Sequence, residues 1–224
     1  GRDLGEFIKG CRGQGAVTIA DSHTLTGSPH ELIESGKAVE EYRLLEPLLG
    51  ELDVFFTSCD EARLIENTLA PGRQWGQYSE DESDRHFLDF VTERFWLGDG
   101  RTRLFGVTVS NGAFEKHVGP DGRAVGPEKV TSRFMAGEVI DLVGAGDSFR
   151  AGLISYLARN LDTFRAGMID FAQAVQMGNL FASLFIKAPL GDRYGNIRPY
   201  EKMLEVVESG REYDSFDVLQ AALK

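Results

Sequence analysis

The chain has 224 residues, 42% hydrophobic and 26% charged, enough to bury a real core and too apolar for a disordered segment. Its 24 Lys and Arg against 35 Asp and Glu leave a net charge of −11, which argues against nucleic acid or an anionic membrane as a partner, since both need a basic face. Two cysteines, Cys11 and Cys59, show no metal-ligand spacing and indicate reduced thiols in a cytoplasmic protein, not a disulfide scaffold.

The opening residues "GRDLGEFIKG" carry acids and lack an apolar core, so no signal peptide is expected there. "GAVTIA" (15–20) reads as a buried strand leading to Asp21. "SPHELIESGKAVEEYRLLEPLLG" has Ser28 as a cap, Pro29 in the first turn and Gly50 at its close, and is expected to be mostly helical. "DVFFT" (53–57) is a second strand, and with "AVTIA" it is a candidate for an uncovered sheet edge. "DEARLIENTLA" follows as a helix that Asp60 can cap; "APGRQWGQ" is a loop; "SEDESDRHFLDFVTERFWLG" has helical spacing after an acidic first turn.

"RLFGVTV" (103–109) is a third strand ending at "SNG", and "AFEKHV" with "GRAVG" across "GPDG" forms a hairpin. "VIDLVGAGDSFRAGLISYL" supplies a further strand and then a helix that buries Phe149, Leu153, Tyr156 and Leu157. "DFAQAVQMGNLFASLFIK" is apolar on most faces, as a helix covered on several sides would be, and its "MGNLFASLFI" is too short to span a bilayer. "YDSFDVLQAAL" is a short amphipathic helix capped by Ser215. This alternation predicts one α/β domain over 1–224, with a parallel sheet and helices on both faces.

In such sheets ligands sit beyond the carboxyl ends of the strands. A strand entering Gly144-Ala145-Gly146 and then a helix places backbone N–H groups and the positive end of a helix dipole at that edge, where anions bind. Asp147 is a poor ligand for a phosphate of like charge. It makes better sense as a base that takes a proton from an attacking hydroxyl. Read alone, the four residues fit at least as well a tight strand-to-helix turn with Asp147 as its cap.

The wider stretch "DLVGAGDSFRAG" resembles the C-terminal signature of the ribokinase/pfkB carbohydrate kinase family: Asp, two residues, Gly-Ala-Gly-Asp, a small residue, Phe, one residue, Ala-Gly. Asp141, Gly144, Ala145, Gly146, Asp147, Ser148, Phe149, Ala151 and Gly152 fit it. The resemblance implies a ribokinase-like parallel-sheet sandwich and ATP-dependent phosphoryl transfer, with Mg2+, to a hydroxyl of a sugar or nucleoside. It implies Asp147 as catalytic base and the amides of Gly144, Ala145 and Gly146 as the anion hole. Ser110 and Gly112, in Ser110-Asn111-Gly112, correspond to a turn that contacts ATP phosphates, and Asn179 to a helix side chain that contacts adenine. Glu61 matches the glutamate of an Asn-x-x-Glu element linked to magnesium, but Ser58 replaces the asparagine. Asp21 corresponds to a strand end near the acceptor, without the arginine that often follows.

Each of these residues also has a plain reading: Glu61 as an acid at a helix start, Ser110-Asn111-Gly112 as a strand-end turn, Asn179 as a solvent-facing amide. Complete members of the family begin with several more strands that carry a lid and most sugar contacts, and many pair through that lid. The resemblance therefore implies the C-terminal, nucleotide-handling portion, N-terminally truncated relative to the family; a homodimer is compatible with it, but the sequence does not give the oligomeric state. No Walker loop, H-E-x-x-H or dinucleotide fingerprint is present, and His23, His30, His86 and His117 show no ligand spacing. A different class, a non-catalytic nucleotide-binding or interaction domain of kinase-like fold, is favoured by Ser58 and the absent lid. Asp147 favours the kinase.

Overall fold

In the computed structural model the described residues are 2–22, 28–72, 78–96 and 98–224. His23 and most of the "APGRQWGQ" loop lie outside them. Among the described residues five strands form one sheet in the order β1 (Ile19–Asp21), β2 (Val54–Ser58), β3 (Arg103–Val109), β4 (Gly112–Val118), β5 (Ala124–Thr131). β1, β2 and β3 run parallel, with Ile19 opposite Val54 and Val54 opposite Leu104. Only the two residues Ser110 and Asn111 separate β3 from β4, a connection short enough for antiparallel strands alone. The sheet is therefore mixed where the sequence pattern predicts a parallel one. Of the two expected edge strands, β1 lies at the edge and β2 lies between β1 and β3.

The chain divides into two compact units, the first comprising Gly1–Val109, Phe114–Glu128 and Arg165–Gly167, the second Ser110–Ala113, Lys129–Phe164 and Met168–Lys224. The first unit is built on β2, a run of Val54, Phe55, Phe56 and Thr57 that is buried throughout, as expected of a strand covered on both faces. Helices α4 (Cys59–Leu69) and α5 (Glu80–Phe95) contribute Ile65, Leu69, Phe87 and Val91 to its core. Both helices begin in a capping box: Ser58 with Glu61, and Ser79 with Glu82. The cap of α4 is thus Ser58, the last paired residue of β2, and not Asp60.

The expected helix over 28–50 is broken into α2 (Pro29–Ser35), a 3-10 turn (Glu40–Leu45) and α3 (Glu46–Leu49), because Gly36 leaves α2 in the left-handed region at φ 63°. An unpredicted helix α1 (Arg2–Gly13) brings Gly5 against α3, so close that a Cβ there would lie 3.0 Å from the Pro47 carbonyl oxygen. At the amino ends of β2 and β3 a charged network ties the strands together. Arg103, wholly buried, donates to the carbonyls of Gly50 and Leu52 and to Asp99, while Arg101 grips Asp53.

The second unit is helical: α6 (Ala145–Arg159), the greater part of α7 (Leu161–Arg165), α8 (Phe171–Ile186), α9 (Tyr200–Glu208) and α10 (Phe216–Ala222). α6 and α8 pack where neither has a side chain to separate them. A Cβ on Gly152 would lie 2.5 Å from the Met177 carbonyl oxygen, and one on Gly178 would lie 2.7 Å from the Phe149 ring. The expected strand at Val139–Val143 is absent. This segment is irregular, and its Ile140 and Asp141 N–H groups both end on the Ile186 carbonyl at the close of α8, leaving no ladder. Among the described residues no helix is long and apolar enough to cross a membrane.

At the end of α8 the buried Lys187 ammonium donates to the Phe134 carbonyl at 2.6 Å and to Ser183 Oγ at 2.8 Å, and lies 5.5 Å from the centre of the Phe216 ring. Burial pulls its pKa from 10.5 down to about 8.

Gly178→Val should destabilise the fold by about 1–3 kcal/mol through overpacking. Gly10→Ala, at a helical site with no neighbour within 4 Å, should stabilise it by about 0.5–1 kcal/mol; urea unfolding of both variants measures each sign. For Lys187, the folded form binds fewer protons than the unfolded chain between pH 8 and 10.5. Stability of the wild type relative to Lys187→Met should therefore rise across that window and be flat below it. Parallel stability profiles for the two proteins would contradict the buried-ammonium assignment.

Candidate functional site

The residues expected at the site fall into both units. Gly144, Ala145, Gly146, Asp147, Ser110, Gly112 and Asn179 belong to the second, Glu61 and Asp21 to the first.

The glycine turn is the best-defined part. Gly144 caps α6 at φ 87°, ψ 3°, a conformation that strains any residue with a Cβ. There is also no room for one: a Cβ on Gly144 would stand 2.9 Å from the edge of the Phe185 ring. The first intrahelical bond runs from Ser148 N–H to the Gly144 carbonyl at 2.9 Å, so the amides of Gly146 and Asp147 precede the helical ladder and carry the positive end of its dipole. The Ala145 N–H is used differently, donating to the Leu142 carbonyl at 3.0 Å. Of the expected amide donors, then, Ala145 holds the turn together and Gly146 faces outward from the ladder, joined by Asp147. The Asp147 carboxylate is exposed.

A cation that the sequence reading passed over lies at the same turn. Arg150 is four residues beyond Gly146, on the same face of α6, and a Cβ on Gly146 would meet its Nη1 at 2.5 Å. The signal was present as a basic residue one helical turn after the glycine. Its position in the family pattern is the unspecified one, so the pattern did not mark it.

Asn179 is buried on α8, where its Nδ2 donates to Gln176 Oε1 at 3.3 Å; the plain reading of a solvent-facing amide does not describe it. Gln176 is itself fixed, donating to the Thr131 carbonyl at 2.7 Å and accepting from the Arg133 N–H at 3.4 Å. The same segment receives the Ser110-Asn111-Gly112 turn: Ser132 N–H donates to the Asn111 carbonyl at 2.8 Å, and a Cβ on Gly112 would collide with the Val130 carbonyl at 2.2 Å. Gly112 is thus required by the approach of β5, whatever else it does, and Ser110 is exposed. A continuous path of contacts links the 110–112 turn to segment 130–133, then to Gln176 and Asn179, and along α8 to Phe185 and Gly144. Asn179 and Phe185 are about 9 Å apart along the helix axis at 1.5 Å per residue.

In the first unit, Glu61 closes the capping box of α4. Its Oε2 accepts from Ser58 N–H (3.2 Å), Ser58 Oγ (3.0 Å), Thr57 Oγ1 (3.2 Å) and Ser22 Oγ (3.4 Å). Its other oxygen is buried with no hydrogen-bond partner among the described residues, a costly state for a carboxylate unless water or an ion is held there. This orphaned oxygen fits a role in orienting magnesium-bound water. Among the described residues no group of three or more His, Cys, Asp or Glu could hold a metal alone, so such an ion would need phosphate oxygens as ligands. Asp21 is the last residue of β1, opposite Phe56, at the carboxyl end of the strand.

The profile of the pfkB family carbohydrate kinases matches residues 122–192. No curated protein matches the chain. Among solved structures, a nucleoside kinase of Methanocaldococcus jannaschii, an archaeal member of the ribokinase family, aligns over 86% of this chain and 48% of its own at 19% identity, with a TM-score of 0.51. A Burkholderia thailandensis nucleoside kinase in complex with inosine aligns over 93% and 53%, at 17% identity and a TM-score of 0.54. An aminoimidazole riboside kinase from Salmonella enterica, complexed with aminoimidazole riboside and an ATP analog, aligns over 92% and 57%, at 17% identity and a TM-score of 0.54. The chain spans about half the length of these structures. Residues 122–192 thus carry the sequence pattern of the pfkB family carbohydrate kinases, within a chain whose fold is ribokinase-like.

Proposed function

We propose that residues 1–224 act as the nucleotide-handling, catalytic portion of an ATP-dependent kinase that phosphorylates a hydroxyl of a sugar or nucleoside. The observation that carries this reading is the start of α6, where the amides of Gly146 and Asp147 precede the helical ladder at the positive end of its dipole, the Arg150 guanidinium lies beside Gly146, and Asp147 is in the first turn. Such a constellation suits a transferring phosphoryl group, whose negative charge must be met by donors already in place.

In this reading the acceptor oxygen attacks the γ-phosphorus as the bond to the bridging oxygen of ADP breaks. Asp147 takes the hydroxyl proton, and the amides with Arg150 hold the phosphoryl oxygens. Ser110 and Gly112 take the ATP phosphates, Asn179 the adenine, and Asp21 the acceptor. Glu61 would hold, through water on its second carboxylate oxygen, a magnesium ion bound to the phosphates, which would supply charge neutralisation there. The acidic chain suits a small-molecule partner over nucleic acid or an anionic membrane; a cytoplasmic location and a homodimer belong to the same proposal. Ser58 gives the alternative its footing: its hydroxyl engages Glu61 at 3.0 Å, as a helix cap with no metal would, and a domain that binds nucleotide without turnover is the competing reading.

Calorimetry with magnesium and ATP should show binding to this chain. No heat at millimolar nucleotide in a folded sample would sink both readings. In a preparation that phosphorylates a sugar or nucleoside, Asp147→Asn should lower turnover by about 10²–10⁴-fold and leave ATP affinity within a few-fold, because the amides remain. Turnover that survives the substitution would make Asp147 a helix cap only.

A further inference from the structure

Arg193 stands in the connection between α8 and α9, outside every motif considered above. Its Nη2 pairs with the Asp141 carboxylate and its Nη1 donates to the Asp141 carbonyl at 3.3 Å. Its guanidinium carbon also lies 5.1 Å from the centre of the Phe185 ring, the ring whose edge closes on Gly144. One side chain therefore touches both the residue that opens the glycine turn and the ring that bounds it.

The turn needs such a tether. Leu142 and Val143, the two residues before Gly144, are 66% and 77% exposed, so burial of apolar surface does not hold them. What holds them is polar. Asp141 Oδ1 accepts the Val143 N–H at 3.0 Å, and the Asp141 and Ile140 amides end on Ile186. The Val143 amide foremost, with Arg193 adding to it, keeps the Asp141 carboxyl below its ordinary range. The Arg193 side chain is 15% exposed and that of Asp141 32%, so the pair is shielded more than a surface ion pair, and a planar guanidinium can engage carboxylate, carbonyl and ring at once where an ammonium cannot.

We infer that Arg193 is a positioning residue for the anion site: through Asp141 and Phe185 it holds the Gly144–Asp147 turn in the form that receives a phosphoryl group. This rests on the function proposed above for that turn. Preorganised donors bind because their ordering is already complete before the ligand arrives, so loosening the turn weakens the ligand without removing any atom that touches it.

Amide hydrogen exchange at Val143 and Ala145, with magnesium-ATP titration, tests this in the wild type, Arg193→Ala and Arg193→Lys. In Arg193→Ala, exchange at both amides should rise, and ATP affinity should fall, by about tenfold each, the effect of losing one charged hydrogen bond. Exchange within α9 should be unchanged, and Arg193→Lys should recover part of both losses. Unaltered exchange at Val143 and Ala145 in Arg193→Ala would overturn the inference, as would faster exchange with undiminished affinity, or a lysine variant no better than alanine. If Arg193→Ala does not fold, Arg193→Gln carries the same comparison. A wild-type chain that binds no ATP would instead defeat the functional reading, and the exchange data would still decide whether Arg193 holds the turn.

Discussion

A single backbone position constrains the candidate site. Gly144 is held at φ 87° with the Phe185 ring where a side chain would begin, so the turn into α6 is open only to glycine. That turn points the first amides of α6 away from the helical ladder and puts Asp147 at its mouth. Phe185 reaches Gly144 because α8 runs close beside α6, and α8 runs there because Gly152 and Gly178 add no side chain of their own against the Met177 carbonyl and the Phe149 ring. Glycine thus acts twice, once by its torsion and once by its size.

α8 is the organising element of the second unit. Its middle carries Gln176, which binds the end of β5 and through it the Ser110-Asn111-Gly112 turn, and Asn179, which donates to Gln176. Its end carries Phe185, Ile186 and Lys187, which bound or tether the segment from Phe134 to Gly144. A helix apolar on most faces was expected to be buried on several sides; the polar residues interrupting it are the ones that fix the flanking loops. The first unit offers a different chemistry, a buried carboxylate with four donor groups around one oxygen and, among the described residues, none on the other.

Much of this was legible in the sequence because local rules and tertiary structure agreed. Ser215 caps as read, since its hydroxyl lies within reach of a first-turn amide. The buried face of α6 follows its helical spacing, Phe149, Leu153, Tyr156 and Leu157. Failures came where a long-range contact outweighed the local pattern. Val139–Val143 has strand composition, but the Ile186 carbonyl captures two of its amides and its apolar side chains are left in solvent. The 28–50 helix ends at Gly36 because a left-handed residue there closes α2 before Pro47 opens α3. Ser58 replaced Asp60 as a cap because β2 continues to the very residue that starts the helix. Arg150 and Arg193 escaped notice for opposite reasons: one sits at an unspecified position inside the motif, the other 46 residues beyond Asp147 in a connecting segment whose partner only the fold reveals.

The central claim is that the amides at the start of α6 receive the phosphates of a nucleotide. The most direct measurement is a titration of the 15N-labelled chain with magnesium and a non-hydrolysable ATP analogue, followed by amide chemical shifts. The account predicts that the Gly146 and Asp147 amide protons show the largest saturating downfield shifts, as new charged acceptors reach them. Saturable binding that moves amides elsewhere and leaves those of 144–147 in place would contradict it.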